Sequence, residues 1–184
     1  MQYNIDEHKH RLAAWGGATG ASASSLCRFK VELGIEILER SGFTSQFGLQ
    51  DLPAPKHFDS EHTKWRDKVI TEAGSNGLTF SHGIAAKMIN CYLKVRFVCG
   101  GDHDHERVKW LHPPIDALLL NALAEDNFGG HGRQWRKFHN ARWSKFNSPT
   151  YQDVIALMRR SLPAGEPLWK IEQHWKGYRI LQIL

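Results

Sequence analysis

The chain has 184 residues, 41% of them hydrophobic, with a formal net charge of +5 and an isoelectric point near 9.2. That is the size of one domain or two small lobes, and the hydrophobic content argues against wholesale disorder. No apolar run approaches the roughly 18 residues of a membrane span, and the start, Met1-Gln-Tyr-Asn-Ile-Asp6, has neither the basic residues nor the apolar stretch of a secretory signal. The expectation is a cytoplasmic monomer, with no membrane partner and with a charge balance that favours a polyanion. The three cysteines, Cys27, Cys91 and Cys99, form no CxxC pair, which supports neither a disulfide framework nor a zinc ribbon. Cys27 and Cys91 fall in apolar helical patterns and read as small buried hydrophobes.

Asp6 opens a first helical pattern, with Leu12, Trp15, Ala18 and Thr19 at helix spacing. Gly16, Gly17 and Gly20 interrupt it, each weakening a helix by about 1 kcal/mol relative to Ala, and predict close packing. Ser24 or Ser25 is the candidate cap of a second helix, striped by Phe29, Leu33, Ile37 and Leu38 and ended by Gly42. Residues 44–56 read as a loop broken by Pro53 and Pro55. Asp59 or Ser60 is placed to cap a third helix with Trp65, Val69 and Ile70 inward. Residues 79–83 form a turn, and residues 84–98 a strong helix with Ile84, Met88, Cys91, Tyr92 and Val95 on its apolar side. After a polar loop at 100–106, Pro113-Pro114 leads into a helix over 116–124. Residues 129–132 read as flexible, 133–142 as basic and aromatic, and Ser148-Pro149 as cap and first residue of a helix to Ser161. Residues 168–175 give a last short helix. No repeat and no β alternation is present, so the class is all-α, a single domain over 1–184. Its sub-lobes are expected to mix N- and C-terminal helices around a central segment at 59–124.

Two segments carry chemistry. In Ser81-His-Gly-Ile-Ala-Ala-Lys87 a glycine turn opens into a helix, with Lys87 one turn inside it and only Ala85 and Ala86 beside it. Burial disfavours a charged ammonium, and a neutral amine is a nucleophile for a sugar carbon such as C1′. In His112-Pro-Pro-Ile-Asp116 two prolines fix the entry to a helix and an aspartate stands at its cap. A carboxylate held at a helix N-terminus is stabilised by the dipole and the free N–H groups, and a fixed anion there stabilises an oxocarbenium-like sugar.

Taken together, Gly83-Ile-Ala-Ala-Lys87, followed by Asn90 and Leu93, and Pro114-Ile-Asp116 resemble the paired motifs of the helix-hairpin-helix DNA glycosylase superfamily. The 29-residue gap between Lys87 and Asp116 is more similar to the archaeal 8-oxoguanine glycosylase branch, and to bacterial proteins of that fold, than to the endonuclease III branch. The close match covers about forty residues. The hairpin before Lys87, Leu78-Thr-Phe-Ser-His-Gly83, departs from the family's Leu-Pro-Gly-Val-Gly, which weakens the expectation of phosphate capture by Ser81 and the Gly83 amide. No iron–sulfur cysteine set is present, and neither cofactor nor metal is expected.

The resemblance implies an active cleft between two helical sub-lobes and a partner of double-stranded DNA carrying a modified base. The base would be flipped out and excised at its N-glycosidic bond. Asp116 would stabilise the sugar cation or activate the attacking group. Lys87 would attack C1′, with an associated abasic-site lyase step. The base-pocket candidates are Trp15 near one end of the chain and Trp169, Glu172 and Trp175 near the other. Either 8-oxoguanine or a hypermodified phage cytosine would suit the recognition, as repair or as antiviral defence. DNA contact is expected from Ser81 and Gly83 and from the basic-aromatic stretch with Arg133, Arg136, Lys137, Arg142 and Lys145. Arg28, Lys30, Lys94 and Arg96 are lesser phosphate candidates.

Two other readings compete. Arg133 and His139 fit the Arg-x(4–6)-His spacing of HEPN-like helical ribonucleases, and a non-catalytic helical DNA-binding module fits the charge. Asp102-His-Asp-His-Glu106 has metal-tract composition but lacks a completing pair and reads as a hydrated loop.

Overall fold

The computed structural model describes residues 3–24 and 26–178. Among these the molecule is all-helical, with seven α-helices and no strand, and no helix is long and apolar enough to cross a membrane.

Ile5–Ser22 (α1) starts where the Asn4 side chain accepts the Glu7 N–H. Its phase differs from the sequence reading. His10, Ala13, Ala14, Gly17, Ala18 and Ala21 face inward, while Leu12 and Trp15 are exposed. Small residues win the inner face because α1 lies almost against His82–Leu93 (α4). A Cβ on Gly17 would sit 2.7 Å from the Met88 carbonyl oxygen, and one on Gly20 would sit 2.8 Å from Cys91 Sγ. Val31–Arg40 (α2) begins later than expected, with Lys30 at its cap; Ser24 lies upstream of it, and Ser25 lies outside the described residues. Phe58–Ser75 (α3) is not capped by Asp59 or Ser60.

The long helix expected over 84–98 changes character at its middle. It is α-helical to Leu93 and widens to π-helical geometry over Lys94–Asp102, where Gly101 takes a φ of 105°. Ala117–Glu125 (α5) is capped by Asp116, as the sequence indicates. In place of a flexible segment, Asn127 Oδ1 accepts the Gly132 N–H at 2.8 Å and leads into Gly132–Ala141 (α6). Ser148–Ser161 (α7) is capped one residue earlier than expected, by Asn147. The last segment, Leu168–His174, is a 3-10 helix.

Two apolar clusters form, and they divide the chain by halves. One runs from Ala13 to Leu111 across α1–α4. The other holds Ala86 and residues from Ile115 to Ile171 across α5–α7. The apolar clusters thus separate the N-terminal helices from the C-terminal ones. α4 is the element shared by both, with Ala85 and Met88 in one cluster and Ala86 in the other.

A polar chain crosses the middle of the molecule. His62 Nε2 donates to Asn90 Oδ1 at 2.8 Å, and Asn90 Nδ2 donates to the Pro113 carbonyl and the Tyr151 hydroxyl, each at 2.9 Å. Tyr151 meets His112 Nδ1 at 3.1 Å, and His112 Nε2 donates to Asp59 Oδ1 at 2.9 Å. Arg159 closes the chain with two bonds to Asp59, at 2.5 and 2.6 Å. Both nitrogens of His112 find partners, while His62 uses Nε2 alone and its buried Nδ1 has none.

Burial pushes His112 down to about 4, and burial first, then repulsion from a protonated His112 and from Arg66, holds His62 well below its ordinary value. Burial alone would raise Asp59, but the hydrogen bonds from Arg159 and His112 outweigh it and hold Asp59 below the usual carboxylate range. A histidine whose folded value is depressed takes its proton in the unfolded chain first. Stability is thus complete above about pH 6.5 and falls as pH drops toward 4, by on the order of 3 kcal/mol from His112 alone. Urea melts between pH 7 and pH 4.5 check this. A flat stability over that window would rule out a neutral, buried His112.

Candidate active site at the shared helix

Ser81 caps α4, accepting the Ile84 N–H, and Lys87 follows one turn in, 9% exposed. Its Nζ lies 2.9 Å from Asp116 Oδ2, with side chains 10% and 18% exposed. The pairing spans 29 positions and joins the two segments singled out in the sequence. Asp116 is engaged on both oxygens: Oδ1 accepts the Leu119 N–H at 2.9 Å, and Oδ2 also accepts the Trp175 indole N–H at 3.0 Å. The helix cap thus fixes the carboxylate's plane, and the amine and indole fix the remaining oxygen. Lys87 is met by a counter-charge and a proton acceptor, not by apolar walls alone. The Trp143 ring lies 5.9 Å from its amine, at the outer range of a cation–π contact.

A second charged pair stands two helical turns on. Lys94 pairs with Glu172 in a short contact, and the Glu172 side chain is 15% exposed. Burial pushes the Glu172 carboxyl up against the opposing influence of Lys94 and Lys87. Cys91 stands between the two lysines along α4, and burial pushes its thiol up, which leaves it protonated and not a nucleophile.

The base-pocket residues named from the sequence separate. Glu172 and Trp175 stand with Lys94 and Asp116. Trp169, on the same 3-10 segment, packs edge-on against His103 at 6.2 Å, and its indole N–H is buried without a partner. Trp15 is 54% exposed on α1. A depression of about 700 Å³ lies elsewhere, between the start of α1 and residues 45–50, lined by Tyr3, Asp6, Lys9, Arg11, Gln50 and Arg96.

The DNA-contact residues also divide. Arg133, Arg136, Lys137, Arg142 and Lys145 are exposed. They lie on and just after α6, whose inner side is held by Trp135, fully buried and donating its indole N–H to the Phe128 carbonyl. Ser81 and Gly83 are corrected. Ser81 Oγ donates to the Ser144 carbonyl at 2.8 Å, and the Gly83 N–H donates to the Phe146 carbonyl at 3.1 Å. Neither donor is open to a phosphate, because the chain after α6 folds back over the start of α4. Arg96 is corrected too: it is 4% exposed and its guanidinium is satisfied by the carbonyls of Asp6, Ser45 and Phe47.

Comparison with protein-family models, curated proteins and solved structures gives no match to this chain. The geometry itself is what bears on function. Arg133 and His139 are six positions apart on α6, about 240° around a helix with 3.6 residues per turn, and His139 Nδ1 faces its neighbour Asn140 at 3.4 Å. They do not face one substrate position. Among the described residues no three His, Cys, Asp or Glu side chains cluster as a metal site.

Sequence reasoning missed Lys94 as the partner of Glu172, Trp175 as a donor to Asp116, and Trp143 beside Lys87. The Lys87–Lys94 spacing of two helical turns was the one available signal for the first. The others depend on pairings across more than fifty positions.

Proposed function

We propose that this protein is a DNA N-glycosylase that excises a modified base. The observation that carries the reading is the Lys87–Asp116 pair, 2.9 Å apart and shielded at the helix shared by both apolar clusters. A lysine one turn inside a helix and an aspartate capping another are the two groups this chemistry needs. Support also comes from the exposed basic residues of α6 and from the polar and aromatic groups beside the pair, Lys94, Glu172 and Trp175. The hydrogen-bonding edge of a flipped base needs such groups.

In this reading the Lys87 ammonium yields a proton to the Asp116 carboxylate or onward to water. The amine attacks C1′, and the electron pair of the C1′–N bond leaves with the base, which takes up the proton held by Asp116 or one from water. Asp116, ionised again, faces the positive charge that develops at the sugar. The nitrogen on C1′ then gives up a proton, the C1′–O4′ bond breaks with its electron pair going to O4′, which takes a proton, and a protonated Schiff base joins Lys87 to C1′.

The test is a panel of duplex oligonucleotides carrying 8-oxoguanine, hydroxymethylcytosine or glucosylated hydroxymethylcytosine, assayed for abasic sites and for borohydride-trapped adducts. The expected result is excision on one member, with a trapped adduct that Lys87→Gln abolishes. Excision without a trapped adduct would keep the glycosylase and assign the attack to water. No excision on any duplex, together with no binding of duplex DNA, overturns the reading.

A further inference from the structure

The chain between α6 and α7 turns sharply at Arg142, whose φ of 64° and ψ of 113° lie in the left-handed half of backbone space. A long side chain is rare there. At the end of a helix this conformation ordinarily belongs to glycine, which adopts it without strain. Non-glycine residues persist in such conformations where the surrounding structure and a function demand them. What the surroundings demand is visible. The turn delivers residues 143–146 onto the start of α4, where the Ser144 and Phe146 carbonyls take up the Ser81 hydroxyl and the Gly83 amide. It also brings Trp143 to 5.9 Å from the Lys87 amine. The backbone geometry is therefore structural, but nothing in it requires arginine. Arg142 is exposed, and so is Lys145 three residues on.

We infer that this turn grips the phosphate backbone of duplex DNA, with Arg142 and Lys145 as the contacts, in place of the α4 hairpin amides that it covers. The inference rests on the glycosylase reading for its partner. Its own support is the cost accepted at Arg142 and the occupation of the Ser81 and Gly83 donors. Three neighbours on α6, Arg133, Arg136 and Lys137, extend the same exposed positive run. A phosphate held here sits next to the residue that packs over Lys87, which places the strand beside the reactive amine. Guanidinium and ammonium contacts to phosphate carry no sequence information, so this contact serves any duplex.

The experiment measures binding of a fluorescein-labelled, unmodified duplex across a salt series, together with thermal melting, for the wild type, Arg142→Gly and Arg142→Lys. Arg142→Gly is expected to melt at the wild-type temperature or above it, since it relieves the backbone. It should bind duplex about fivefold more weakly at 0.1 M salt, with a log–log salt slope smaller by about 1, the signature of one lost phosphate contact. Arg142→Lys should keep the slope. Wild-type affinity and slope in Arg142→Gly would overturn the inference while leaving the glycosylase reading in place. A wild type that retains no duplex even at low salt removes both.

Discussion

Asp116→Asn is expected to lower excision by roughly three orders of magnitude, the range seen when a charge-stabilising or proton-accepting group is removed. Asparagine caps a helix as well as aspartate does, so the Leu119 N–H keeps its acceptor and α5 its start. What disappears is the negative charge 2.9 Å from the Lys87 amine. An ammonium left buried without its partner is costly, and removing one member of such a pair destabilises by about 3–5 kcal/mol when fully buried. With side chains 10% and 18% exposed and an amide still present, about 2–3 kcal/mol is expected here, a fall of roughly 4–12 °C in melting temperature for a chain of this size. Lys87→Met added to Asp116→Asn should recover most of that stability and none of the activity, because it removes the orphaned charge. Stability that does not recover would mean that the two side chains are not energetically coupled. Full activity in Asp116→Asn would sink the mechanism.

Gly83→Ala is the second large effect, and it acts through the fold. A Cβ at this position would lie 1.8 Å from the Trp143 carbonyl oxygen and 2.9 Å from its carbon, both backbone atoms that cannot rotate away. The turn after α6 must lift off the start of α4. With it go the bonds from the Gly83 N–H to Phe146 and from Ser81 to Ser144, and the place of Trp143 beside Lys87. Two buried hydrogen bonds and the displaced packing give a loss of roughly 3–4 kcal/mol. Thermal melting should register about 10 °C. A melting point unchanged from the wild type would show that the turn does not rest on Gly83. The sequence carried this glycine as a phosphate donor and a family mark; its packing role is independent of either.

The helices were legible because each signal was local. α3 and α4 show apolar spacing, α5 and α7 show caps and prolines, and the class follows from their number. Asp116 was legible for the same reason, since a proline-led cap is a pattern of five residues. Lys87 needed its partner, and a pairing 29 positions apart becomes visible only through a learned motif. The rest failed on distance. Asp59 reads as a helix cap in isolation, yet it bonds Arg159 a hundred positions away. Trp175 reads as a pocket wall, yet its indole N–H finds Asp116 across 59 positions. The phase of α1 was misread because its large residues suggested the inner face, while the close approach of α4 admits only small ones.

The polar chain from His62 to Arg159 has a consequence for any rate measurement. Asn90 is three residues beyond Lys87 on α4 and holds the Pro113 carbonyl, three residues before Asp116. The strut that helps set the spacing of Lys87 and Asp116 therefore also holds the two buried histidines that acid would charge. Below pH 6 a falling rate would trace the dismantling of this strut. Such a limb should be steeper than a single-proton curve, since loss of the fold exposes both imidazoles to protonation, and it should shift with mild denaturant. A limb belonging to the chemistry alone would have unit slope and ignore urea.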